Sequence, residues 1–189
     1  MEKPNLRKVI FYCLGVFGLA LGVSVSIRSG LGVSPNSSVP YTISLITGLD
    51  NGLCQTLVFI LFVLIQKLVL RGDFKFYQWL QVITSILFGF FVNLTTSLIF
   101  FVPTPEGMVA KLALSLLGSF FVGTGVFFYL ATGIIPMSAE GLAQMAAHKT
   151  GKSVPNAKLV LDCIMVLTSA LLGLIFLKSA LAGVGVGTI

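Results

Sequence analysis

The sequence predicts an all-α integral membrane protein. Its plan is a bundle of five spans (six where a full-length chain adds a last helix), built as an inverted-topology repeat with two short half-helices. Three observations predict it. The 189 residues are 56% hydrophobic and only 10% charged, with a mean hydropathy of +1.03, whereas soluble domains carry about 25% charged residues. Apolar runs of roughly the 20 residues that cross a bilayer recur five times. A single offset of 103 residues relates the first half of the chain to the second.

This composition excludes a soluble globular enzyme, and it excludes disorder, which needs low hydrophobicity. The net charge of +6 reads as the positive-inside bias of cytoplasmic loops. A nucleic-acid partner is therefore not expected, and the lipid bilayer is. The whole chain, 1–189, reads as one membrane domain.

The first span is the apolar run 9–27, preceded by Lys3, Arg7 and Lys8. It is too long for the h-region of a signal peptide, and Arg28-Ser29-Gly30 is no obvious cleavage site. The second span covers 53–70. The third covers 77–102, with Tyr77 and Trp79 as interface anchors and Pro103 and Pro105 stopping the helix. The fourth covers 109–135 and the fifth 157–177. Residues 179–189 are apolar but too few to cross about 30 Å at roughly 1.5 Å per residue. With the N-terminus inside, eight Lys and Arg residues fall inside and three, Arg28, Lys111 and Lys178, fall outside, with Lys158 inside the fifth span and not counted. The expected location is a bacterial cytoplasmic (inner) membrane, multi-pass, with a cytoplasmic N-terminus.

At the offset of 103, Leu14-Gly15 falls on Leu117-Gly118, Gly22-Val23 on Gly125-Val126, Gly30 on Gly133 and Thr47-Gly48 on Thr150-Gly151. The repeat units are about 9–102 and about 109–189. Each unit has an odd number of spans, so the second enters the membrane inverted, as in many transporters with a site between the halves. Ile189 falls on Ile86, so the last helix of unit two is expected to be truncated or absent.

Each unit contains a short polar-interrupted segment. Ser34 before Pro35 is a good N-cap and first-turn pair, and Ser138 can cap its counterpart. The runs 35–46 and 139–149 are too short to span and read as half-helices, whose N-termini expose N–H groups and partial positive charge. Two surface loops with interfacial helices would fit the same residues.

Three ionisable groups sit in costly places. Glu140 begins the second half-helix. Lys158 and Asp162 are four residues apart in the fifth span, on one face, and able to pair. Charges within spans usually mark a pathway or a buried pair, although a lysine near a helix end also snorkels to the surface. Arg28 is expected to snorkel. Asn93, Thr95, Thr96 and Ser97 are expected to join helices by hydrogen bonds. His148 reads as solvated. Cys13, Cys54 and Cys163 read as buried small hydrophobes, with no disulfide, metal or cofactor. Enzyme signatures such as HExxH, GxSxG and the P-loop are missing, so no enzyme is expected.

The stretch Ser34-Pro35-Asn36-Ser37-Ser38-Val39-Pro40-Tyr41 resembles the SP-x-SS-x-PY element of the YczE/YyaS/YitT-like bacterial membrane proteins. Glu140-Gly141-Leu142, the Lys158/Asp162 pair and Gly187-Thr188-Ile189 resemble that family's second-half motifs. Val186 departs from the acidic residue expected before Gly-Thr. The resemblance implies a bacterial cytoplasmic-membrane protein with a transport role and names no substrate.

The expected function is that of a small-solute transporter. Substrate-binding residues Ser34, Asn36, Ser37, Glu140, Lys158 and Asp162 would converge on one cavity. Two helix N-termini together favour an anionic or zwitterionic solute. An apolar surrounding favours the neutral, proton-carrying form of a carboxyl, so Glu140 would couple solute to a proton. A non-transporting membrane factor acting through protein partners and a channel are the rival readings. Gly89, Gly118, Gly123 and Gly125 permit close packing within the chain or in a homodimer.

Overall fold

The computed structural model describes residues 5–179 together with 184, 185 and 188. These residues are helical, without strands. The order is α1 (Leu6–Ser29), α2 (Pro35–Thr47), α3 (Asn51–Leu70), two short 3-10 turns (Arg71–Asp73 and Phe76–Trp79), α4 (Leu80–Ile99), α5 (Met108–Ala131), α6 (Ser138–Thr150) and α7 (Val154–Leu177). Five of these, α1, α3, α4, α5 and α7, are long and apolar enough to cross a membrane. α2 and α6 have 13 residues each, too short to do so.

Local chemistry explains most of the boundaries. Pro35 opens α2, where its missing N–H has no helical partner to lose. α1, α2 and α6 each end on a left-handed glycine, Gly30, Gly48 and Gly151. The first two spans start two or three residues earlier than the sequence reading, at Leu6 and Asn51, and the other three differ for identifiable reasons. The fourth ends at Ala131 rather than residue 135, because Gly133 turns left-handed (φ 64°) and Pro136 follows. The fifth starts at Val154, since a proline in its first turn is compatible with the helix. The third ends at Ile99, ahead of Pro103. Arg28 caps its end: Nη2 donates to the Phe100 carbonyl (2.9 Å) and Nε to the Val102 carbonyl (2.8 Å). Arg28 is thus a helix staple rather than a snorkelling residue.

α1 and α5 form the tightest crossing, through glycines on both helices. A side chain on Gly15 would strike the Gly125 carbonyl, and one on Gly22 would strike the Gly118 carbonyl. The order of these contacts makes the two helices antiparallel. Small residues let backbones approach closely, which is the main source of helix association in lipid. α4 lies against α1 through Ser24 Oγ, paired with Thr95 Oγ1 (2.8 Å) and Thr96 Oγ1 (3.0 Å). It lies against α3 through Gly52 and Gly89, where the Gly52 N–H donates to Asn93 Oδ1 (2.8 Å). Asn93, Thr95 and Thr96 therefore act as the expected interhelical bonds, whereas Ser97 Oγ donates to the Asn93 carbonyl of its own helix (2.9 Å). Gly118, Gly125 and Gly89 are all used inside the chain, while Gly123 meets nothing within 4 Å.

The short helices complete the bundle. α2 packs on α7 and α3, and α6 packs on α3 and α7. Thr42 Oγ1 and Ser169 Oγ pair at 2.7 Å between α2 and α7. The outward faces of α3, α4, α5 and α7 carry exposed Leu61, Ile83, Phe120 and Leu171, the surface expected to meet lipid. Cys54 is buried and Cys13 half-buried, but Cys163 is exposed on α7, contrary to the expectation of burial.

Candidate functional site

The N-termini of α2 and α6 face one small cavity of about 60 Å³. α2 contributes its N-cap Ser34 with Asn36 and Ser37, and α6 contributes Met137, Ala139 and Glu140. Phe59 of α3 and Phe88 of α4, stacked with ring centroids 5.4 Å apart, form part of its wall. Leu19 of α1 and Val122 and Val126 of α5 complete it. A buried water needs roughly 10–15 Å³ of such space, so the cavity holds a few waters and no larger solute.

α7 reaches the site through Lys158. Its Nζ donates to Asn36 Oδ1 (2.9 Å) and to Asp162 Oδ1 (2.7 Å). Lys158 therefore bridges two helices, and Asp162 fixes it one turn along its own helix. The structure thus brings Ser34, Asn36, Ser37 and Glu140 to the cavity wall and Lys158 to Asn36. Asp162 stands behind Lys158.

Glu140 lies in the first turn of α6, where the helix dipole favours a carboxylate. The α2 N-terminus shares the same cavity. The Glu140 side chain and both helix N-termini thus line the same cavity. The groups around it are Tyr129, Lys158 and Asp162, with Tyr12 close enough to sense its charge. Ser138 does not cap α6 as the sequence suggested. The N-cap is Met137, Ser138 is the first helical residue, and its Oγ is buried without a partner. Ser34 is the N-cap of α2 but makes no side-chain capping bond.

A buried polar layer that the sequence reading passed over flanks α6. Gln66 Nε2 donates to Gln81 Oε1 (3.0 Å) and to the Ser138 carbonyl (3.1 Å). Gln66 is 0% and Gln81 1% exposed. Gly141 packs so closely here that any side chain would strike both amides. Beyond the layer opens a vestibule of about 480 Å³ lined by Asp73, Lys75, Gln78, Gly141, Gln144 and His148 among others. His148 is solvated as expected, on the last turn of α6. The sequence signal for the layer is weak, because a single amide in a span is as often glue between helices.

The C-terminal motif is only partly within the described residues. Thr188 and Gly185 pack on Gly32, whose φ of 106° and lack of a side chain permit the contact. Val186, Gly187 and Ile189, and with them most of the segment 179–189, lie outside the described residues.

Fold and site together define an α-helical integral membrane protein with a polar site enclosed between two short helices. The chain belongs to the DUF6198 family, described as a family of unknown function, whose model matches residues 6–189. It is similar to the "Uncharacterized protein YyaS" of Bacillus subtilis (strain 168), 27% identical over 125 residues, 66% of this chain and 61% of that protein. It is also similar to the "Uncharacterized membrane protein YczE" of the same organism, 26% identical over 155 residues, 82% of this chain and 69% of that protein. The match to YyaS thus spans less than two thirds of that protein's length. No solved structure matches. The family resemblance read from residues 34–41 and the second-half motifs agrees with these matches.

Proposed function

We propose that the protein is a proton-coupled transporter of a small anionic or zwitterionic solute. The observation that carries this reading is the position of Glu140 at the point where the N-termini of α2 and α6 meet. Ionised, its carboxylate occupies the positive field of the two helix ends. Protonated, it leaves that field to the carboxylate or phosphate of a solute. One carboxyl thereby couples a proton to an anion. Lys158, held by Asn36 and Asp162, adds a full positive charge at the edge of the site. A cavity of about 60 Å³ corresponds to a closed conformation, so the halves must move for a solute to bind.

An inverted repeat would supply that movement by rocking one unit against the other. Reciprocal contacts support the repeat. Gly15 meets Gly125 while Gly22 meets Gly118, a pair of contacts that exchange under the offset of 103. Gln66 and Ser169 occupy equivalent positions. Each donates to a carbonyl in the first turn of the other unit's short helix, that of Ser138 and that of Ser38.

The test is uptake into proteoliposomes under an imposed pH gradient, with monocarboxylates, dicarboxylates, amino acids and phosphate as probes. The wild type is expected to accumulate one class with a rate set by the gradient. Glu140→Gln is expected to lose that dependence and most of the rate. No uptake of any class, or pH-driven uptake unchanged in the variant, overturns the reading. For topology, we assign the N-terminus to the cytoplasmic side of a bacterial inner membrane. With Cys13, Cys54 and Cys163 replaced, a cysteine at Gly72 should stay shielded from impermeant thiol reagents in intact cells, and one at Thr104 should label. The reverse pattern inverts the assignment.

A further inference from the structure

Near Glu140 lie two buried tyrosine hydroxyls whose presence packing does not explain. Tyr129 of α5 is 0% exposed and Tyr12 of α1 is 5% exposed. Their rings meet edge to face with centroids 5.9 Å apart. The Tyr129 hydroxyl faces the Glu140 carboxylate, and the Tyr12 hydroxyl faces Thr84 of α4. Neither hydroxyl makes a hydrogen bond of ordinary length within the protein. Thr84 Oγ1 donates to the backbone carbonyl of Gln81, one turn back on α4 (3.1 Å), which places Thr84 one turn from the Gln81 side chain of the amide layer behind Gly141. Gln66 Oε1 and Ser138 Oγ, in that layer, are also buried without partners. A buried polar group without a partner costs stability, and an apolar group of the same shape removes the cost. Phenylalanine would fill both tyrosine positions as well. Unsatisfied buried groups of this kind are the usual partners of internal water.

We propose that the hydroxyls of Tyr12 and Tyr129, with the Gln66–Gln81 layer behind them, form the proton path from the vestibule to Glu140. The protons shift in concert, since a free buried tyrosinate would be an unpaired charge in an apolar site, and the Tyr129 hydroxyl gives its proton to the Glu140 carboxylate. It regains one from the Tyr12 hydroxyl directly or through one water, and Tyr12 is restored from water at the Thr84 and Gln81 end. One proton passes from vestibule water to Glu140, hydroxide is left to the solvent, and both rings end neutral. The remaining charged groups facing Glu140, Lys158 and Asp162 of α7, are engaged with each other and with Asn36. Among the described residues, α3 and α4 present amides, hydroxyls and phenyl rings at this end of α6, with no titratable group.

This path rests on the reading of Glu140 as the proton carrier, and one experiment separates the two. Infrared difference spectra of the full chain in lipid nanodiscs, taken across a pH step, would report the carboxyl C=O band of protonated Glu140, assigned by its loss in Glu140→Gln. Its downshift after rapid mixing with heavy water gives the exchange rate. In Tyr129→Phe, and separately in Tyr12→Phe, the rate should fall by about tenfold or more, with the melting temperature unchanged or raised. A wild type without a titrating Glu140 band overturns the proton-carrier reading and the path with it. A titrating band whose exchange is as fast in both phenylalanine variants overturns the path alone. So does a lowered melting temperature in either variant, which would make the hydroxyl a structural bond.

Discussion

Replacement of Gly22 by leucine is expected to abolish the folded bundle. A Cβ at this position would collide with the Val122 amide nitrogen and the Gly118 carbonyl oxygen, both backbone atoms that cannot rotate away. The helices must then separate, and overpacking of this kind costs about 1–3 kcal/mol or more. Here the damage spreads, because α1 and α5 also carry Tyr12 and Tyr129, and α5 carries Val122 and Val126 of the cavity wall. In lipid no hydrophobic force between helices compensates for a lost close contact. The measurement is the monodisperse fraction and melting temperature of the purified variant in detergent. Gly22→Leu should fail both, and Gly123→Leu should match the wild type, since nothing lies within 4 Å of Gly123. Equal behaviour of the two variants would show that the α1–α5 crossing is not close-packed in the bilayer.

The spans were legible because apolar runs of spanning length leave no other place for their side chains. Their ends were less so, and the fourth span shows why. Ile135 and Met137 extend its apolar run, yet both belong to the buried core on an irregular stretch after the helix has ended. Apolar composition says that a residue avoids water; it does not say that the backbone is helical. Gly133 and Pro136 carried the boundary, and weighing them over the hydropathy would have found it. Arg28 illustrates the opposite case. Its charge was visible at a helix end, but its partners, the carbonyls of Phe100 and Val102, come from a loop more than 70 residues away.

The site divides along the same line. Glu140, Lys158 and Asp162 stand out because few charges occur inside apolar sequence. Ser34, Asn36 and Ser37 stand out because they interrupt it beside a proline. Tyr12, Tyr129, Gln66 and Gln81 do not. A tyrosine in a membrane sequence is as often an interface anchor, and a single amide in a span is as often glue between helices. Only the meeting of α1, α3, α4, α5 and α6 distinguishes a buried polar row from scattered polar residues. Sequence spacing orders residues on one helix, whereas the contacts that matter here join five.

Removal of the Lys158 charge is expected to be the second severe lesion. In Lys158→Met the Asp162 carboxylate loses the 2.7 Å bond from its cation, and Asn36 Oδ1 loses its 2.9 Å donor. Lys158 and Asp162 side chains are 28% and 25% exposed, so water replaces the cation poorly. Breaking such a part-buried pair from one side should cost more than the roughly 1 kcal/mol of an exposed pair and approach the roughly 3–5 kcal/mol of a fully buried one, chiefly from the unpaired charge left behind. Asp162→Asn should cost a comparable amount by stranding the ammonium. The double variant Lys158→Met/Asp162→Asn strands no charge and should recover most of the loss, with a coupling energy at the upper end of the roughly 0.5–3 kcal/mol seen for contacting residues. A snorkelling lysine predicts otherwise: each single change would cost less than about 1 kcal/mol, as for exposed pairs, and the two would add. Unfolding by denaturing detergent in mixed micelles measures all three variants. Asn36→Ala supplies the remaining distinction. If Lys158 ties α7 to the first turn of α2, the effect of Asn36→Ala should vanish in the Lys158→Met background. An effect that persists there would detach α2 from the ion pair and leave Glu140 as the only charged group that organises the cavity.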